Sequence, residues 1–167
     1  MGTLGRLAVL ALLIVVTATE CLAQKSSGQQ PFTLTIAVDQ TTIKVGSQIR
    51  LRITLTNTSG QDLLIGRGNG DARAAEAGYR IEVLNEKGKN PPETKYQRVI
   101  KGEEDGIFWS SPIGITLQSG KTYEDGMIVN DFYDLSQPGT YTIQVQRTDH
   151  QSKILVKSNK VTVTVTP

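Results

Sequence analysis

From Phe32 to the last residues of the chain, apolar and polar positions alternate with a period of two, the spacing that places every second side chain on one face of a strand. Phe32, Leu34, Ile36 and Val38 alternate with Thr33, Thr35 and Ala37. Ile49, Leu51, Ile53 and Leu55 alternate with Arg50, Arg52, Thr54 and Thr56. The turn-forming run Asn57-Thr58-Ser59-Gly60-Gln61-Asp62 follows, and the apolar run resumes at Leu63 to Ile65. Tyr79, Ile81 and Val83 precede the turn Asn85-Glu86-Lys87-Gly88, and Lys95 to Ile100 is expected as the hairpin partner of that strand despite the Pro91-Pro92 interruption. Ile113, Ile115 and Leu117, a short strand around Met127 to Val129, then Tyr141, Ile143 and Val145, and finally Val161, Val163 and Val165 complete the pattern. Short strands separated by regular turn signals predict an all-β, antiparallel sandwich of about eight strands. Helix is expected only at Asp71 to Ala77, with a single turn over Asp131 to Ser136.

The first 23 residues break this pattern. Arg6 supplies a positive start, Leu7 to Ala18 is almost wholly apolar, and Cys21-Leu22-Ala23 fits a cleavage site of small residues, so residues 1–23 read as a cleavable signal peptide. The apolar stretch is too short to serve as a retained membrane anchor, which needs about 20 residues. A lipid-modified Cys21 is disfavoured because Glu20 stands where a small residue belongs. Removing 23 of the 167 residues leaves 144, a single-domain length. Residues 24–31 read as a flexible polar leader and residues 32–167 as the domain, secreted or periplasmic and with no stable membrane span after cleavage. Cleavage also removes the only cysteine, Cys21, and with it any disulfide or thiol chemistry.

The net charge of +2 comes from scattered cations rather than a basic stripe interleaved with aromatics, which excludes a nucleic-acid footprint. Chemistry is equally sparse. The one histidine, His150, lies in the turn-like Thr148-Asp149-His150-Gln151-Ser152, and the nearest nucleophile pair, Ser110-Ser111, sits in no recognisable elbow. Gly66-Arg67-Gly68-Asn69-Gly70-Asp71 has the glycines of a phosphate loop without its strand-loop-helix frame. The acidic groups Glu103-Glu104-Asp105 and Asp131 with Asp134 lack the ligand spacing of a calcium loop. No catalytic, cofactor-binding or metal-binding residues are assigned, and a carboxylate-dependent hydrolase remains the weakest of the three readings.

Recognition is better represented. Ile107-Phe108-Trp109 follows an acidic segment and precedes Ser110-Ser111-Pro112, so one strand face cannot take all three side chains. Trp109 either fills the core or, with Phe108, anchors a partner. Arg67, Phe108 and Trp109 are the candidate binding residues, on the connections Gly66 to Gly78 and Gly102 to Pro112.

Two resemblances refine this. Asp134-Leu135-Ser136-Gln137-Pro138-Gly139-Thr140-Tyr141 resembles the corner of immunoglobulin-like and fibronectin-like domains, in which a tyrosine hydroxyl returns to an upstream backbone group; Tyr141 is the corner residue, and Ile143 stands where an antibody domain has cysteine. More loosely, Ile49 to Leu55 with Asn57-Thr58-Ser59-Gly60, Tyr79-Arg80-Ile81-Glu82-Val83 with Gly88, Leu117-Gln118-Ser119-Gly120 and Pro138-Gly139-Thr140-Tyr141 resemble, in that order, the bacterial BsuPI-type proteinase-inhibitor family. The sequence therefore predicts a monomeric, exported, non-enzymatic binding module that meets a protein or cell-envelope component, and the second resemblance implies a proteinase inhibitor as the alternative.

Overall fold

The computed structural model describes residues 30–67, 78–106 and 113–167. The described residues hold nine strands, β1 (Phe32–Val38), β2 (Thr42–Lys44), β3 (Arg50–Asn57), β4 (Leu63–Arg67), β5 (Tyr79–Asn85), β6 (Ile113–Leu117), β7 (Thr122–Ile128), β8 (Gly139–Thr148) and β9 (Leu155–Thr166), with one helix, α1 (Lys95–Lys101), between β5 and β6. They form a three-stranded sheet ordered β1-β3-β7, a four-stranded sheet ordered β2-β9-β8-β5 and a two-stranded sheet of β4 and β6. All pairs are antiparallel except β2 with β9. The alternating apolar positions turn inward as the period requires. Leu34, Ile36, Leu51, Ile53 and Leu55 from the first sheet meet Ile81, Val83, Ile143, Val145 and Val163 from the second in one continuous core. Ile53, Leu55, Val83, Ile143 and Val145 are wholly buried, and each such side chain contributes roughly 1.5–3 kcal/mol.

Two asparagines stitch the layers. Asn57, inward by the parity of Leu51, Ile53 and Leu55 and 1% exposed, donates to the carbonyls of Gln61 at 2.7 Å and Leu117 at 2.8 Å, tying β3 to the β4–β6 pair. Asn159 closes the outer edge of β1: its amide accepts from Ile36 N at 2.8 Å and donates to Ile36 O at 3.0 Å. It can do so because β9 carries a bulge. Between Gln144 and Gln146 of β8 stands one residue, whereas between their partners Lys160 and Lys157 stand two, Ser158 and Asn159. Ser158 Oγ accepts from Val145 N at 3.0 Å inside the bulge.

Two expectations need correction or adjustment. Lys95 to Ile100 is not a strand beside β5 but helix α1. Pro91 and Pro92 cannot continue a ladder, Thr94 caps the helix by accepting from Gln97 N at 3.2 Å, and Gly102 ends it in the left-handed region at φ 74°. The strand around Met127 starts earlier, at Thr122, and gives way to a 3-10 turn at Val129–Asp131, ahead of the expected turn. β2 went unread, since three residues with one buried side chain, Ile43, leave too little periodicity. The helix expected at Asp71 to Ala77 and the signal peptide lie outside the described residues.

Candidate functional site

The core-facing row of β8 does not stop at Val145. The next inward position is Arg147, 2% exposed. Its guanidinium carbon lies 4.7 Å from the centre of the Tyr79 ring, and Nη2 donates to the Gly66 carbonyl at 3.2 Å. Among the described residues Nη1 has no hydrogen-bond partner, and neither has the Tyr79 hydroxyl. Asp125 enters the same space from β7, opposite the inward-facing Ile53. Burial pushes the Tyr79 phenol up to about 12; the Arg147 charge opposes that rise and the Asp125 charge adds to it.

The position of this group matters more than its charge. Gly66 precedes residues 68–77 and Tyr79 follows them, so one buried guanidinium holds both ends of that connection. Gly66 and Arg67 are paired with Gly114 and Ile113, which brings the root of residues 107–112 to the same place. Tyr79 is paired with Arg147, two residues before the β8–β9 turn that begins at Asp149. Three connections are thus rooted at one end of the sandwich. The third is fully described. The buried Asp149 carboxylate accepts from Ser152 N and Oγ, both at 2.6 Å, and Lys153 adopts φ 61°. His150 is exposed at its tip.

Of the residues singled out from sequence, Arg67 ends β4 at this end, while Phe108 and Trp109 lie outside the described residues, as do Ser110 and Ser111. Arg147 was missed, although extending the Tyr141, Ile143, Val145 alternation by one step marks a cation on a core-facing position. Tyr141 does form the corner: its hydroxyl donates to Gln137 O at 2.7 Å.

A groove of about 430 Å³ lies on the flank, between the outer edge of β5 and α1, within the size range of ligand clefts. Arg80, Ile81 and Glu82 form one wall, Gln97, Ile100 and Lys101 the other, with Phe132 and Tyr133 at its base. The acidic segment is tied to the helix beside it. Lys101 Nζ bridges Glu103 at 2.7 Å and Glu93 at 3.1 Å, and those bonds hold its amine above the usual lysine range. Glu104 pairs with Arg98 at 2.7 Å and is held below the usual carboxylate range. Asp134 is lowered by its bonds to Ser136, whereas burial raises Asp131. Among the described residues no three histidine, cysteine or acidic side chains are placed to hold a metal ion.

The packed sheets, the single shared core and the Tyr141 corner define an immunoglobulin-like β-sandwich. No family model matches the chain, and no curated protein matches it. Among solved structures it is similar to the CARDB domain of the PF1109 protein from Pyrococcus furiosus, in complex with di-metal ions, at 11% identity over 83% of this chain and 97% of that one, with a TM-score of 0.44. No described helix is long and apolar enough to cross a membrane.

Proposed function

We propose that the chain is an exported, non-enzymatic binding module that meets a protein or cell-envelope component through the loop end of the sandwich. The observation that supports this most is the Arg147 clamp. A scaffold that fixes both roots of residues 68–77, with the root of 107–112 and the Asp149–Ile154 turn alongside, gathers three strand connections on one base. Arg67, Phe108 and Trp109 belong to these connections. An acid–base enzyme is less well supported, because two of the three carboxylates lining the flank groove, Glu93 and Glu103, are both bridged by Lys101.

The test is photo-crosslinking of the secreted chain to envelope components in the exporting cell, comparing the parent with Phe108→Ala, Trp109→Ala and Arg67→Ala. At least one substitution is expected to abolish a discrete crosslinked species while the fold is retained. Unchanged crosslinking in all three sinks this surface. The BsuPI-type resemblance is tested in parallel by titrating serine and cysteine proteases with the mature chain; stoichiometric inhibition lost in Trp109→Ala would replace a general binding role with an inhibitory one.

A further inference from the structure

Among the described residues, the edge of β5 is closed along part of its length and open along the rest. In β8, Val145 N goes to Ser158 on β9, and Arg147 and Asp149 share that parity, so these residues direct their backbone groups toward β9. Register then requires Arg80, Glu82 and Leu84 to pair with β8, and Tyr79, Ile81, Val83 and Asn85 to point outward at the sheet edge. Asn85 N is taken by Lys89 O at 2.8 Å, Val83 O by Asn90 Nδ2 at 2.9 Å, and Ile81 O by the Tyr133 hydroxyl at a long 3.3 Å. The closure ends there. The N–H of Ile81 and both backbone groups of Tyr79 meet no partner among the described residues, and Tyr79 and Ile81 both line the 430 Å³ groove.

We propose that this open half-edge is a second binding site, which takes a short extended peptide by strand addition. The two N–H groups are two residues apart, about 6.6–6.8 Å, the repeat at which an extended chain presents its carbonyls. Helix α1 stands across the groove, so a single bare strand fits where a second folded sandwich, bringing its own sheet, does not. The outward side chains beside the open edge are Arg80 and Glu82, both exposed. An antiparallel strand therefore meets Glu82 first and Arg80 two residues later, and opposite charges pair directly across strands when its sequence reads Lys-Xaa-Glu. Ile81, whose side chain turns inward, favours an apolar residue between them.

The experiment uses the mature chain and three blocked pentapeptides: Val-Lys-Val-Glu-Val, the charge-reversed Val-Glu-Val-Lys-Val, and the first peptide methylated on its central amide. In the free protein the Tyr79 and Ile81 amides exchange with solvent far faster than those of Glu82 and Leu84. The first peptide slows them roughly tenfold at saturation. The charge-reversed peptide binds roughly threefold more weakly, and the methylated one does not bind. In the double variant Arg80→Glu with Glu82→Lys, two exposed changes, the preference between the first two peptides inverts. Trp109→Ala leaves every value unchanged, which separates this site from the loop end. Amides of Tyr79 and Ile81 that are already protected in the free protein, or that no peptide slows at millimolar concentration, overturn the proposal, as does equal binding of the methylated peptide.

Discussion

Tyr79→Phe isolates one hydroxyl. The phenol is buried, has no hydrogen-bond partner among the described residues, and is pushed up to about 12 from 10.0, chiefly because burial penalises the phenolate. A group whose folded pKa lies above its unfolded value stabilises the fold fully below the unfolded pKa and loses that contribution as pH climbs through the folded one. For Tyr79 the window therefore runs from about pH 10 to about pH 12, and two units correspond to about 2.7 kcal/mol. At pH 7 the substitution removes a polar atom that makes no bond, so the variant is expected to be as stable as the parent or up to about 1 kcal/mol more stable. At pH 12 it should exceed the parent by about 2–3 kcal/mol. Urea denaturation followed by far-ultraviolet circular dichroism at several pH values gives both curves, and the slopes with denaturant must agree for the comparison to hold. Tyr133 and Tyr141 are also raised by burial and contribute equally to both proteins, so the difference belongs to Tyr79. Two curves that stay parallel from pH 8 to pH 12 would show that the Tyr79 hydroxyl is solvated or bonded, and the buried group at Arg147 would need a different description.

Arg147→Met keeps the apolar stem, removes Nη1, which has no partner among the described residues, and abandons the Gly66 carbonyl and the Tyr79 ring; a net loss of about 1–2 kcal/mol is expected in the same denaturation assay, with faster amide exchange confined to Leu64–Gly66 and Arg80. Full retention of exchange protection there would mean that the guanidinium holds neither end of the connection. Tyr141→Phe deletes the corner bond to Gln137 and should cost about 1–3 kcal/mol, measured as a lower denaturation midpoint at unchanged slope. Lys153→Gly relieves a left-handed lysine at an exposed turn and should raise stability by about 0.5–1 kcal/mol; a loss would show that the Lys153 side chain makes a contact of its own.

Much of the architecture was readable because a period-two pattern states both the presence of a strand and its buried face. β1, β3, β5, β8 and the C-terminal half of β9 follow from that alone. The misreadings share a cause. Asn57 and Arg147 occupy core-facing parity but are polar, and each was treated as the end of a pattern instead of as its next member. Helix α1 carried its own signal, Thr94 three residues before Gln97 and Gly102 directly after Lys101, which the search for a hairpin partner overrode. The half-open edge of β5 had no local signature, because it depends on which residues of β8 spend their hydrogen bonds on β9 and which on β5, and that is set by the pairing of distant strands.

That bulge sets the phase of the last strand. Val156 and Ser158 face inward on even positions, and Val163 and Val165 on odd ones, so the two halves of β9 are written in opposite phase and joined by one surplus residue. Deleting Asn159 would bring the two halves into one phase and leave a regular ladder with Val156, Val163 and Val165 all still inward; what it would remove is the amide that holds both backbone groups of Ile36. A one-residue deletion there is thus a lesion in the fastening of one sheet to the other and not in the phase of the strand.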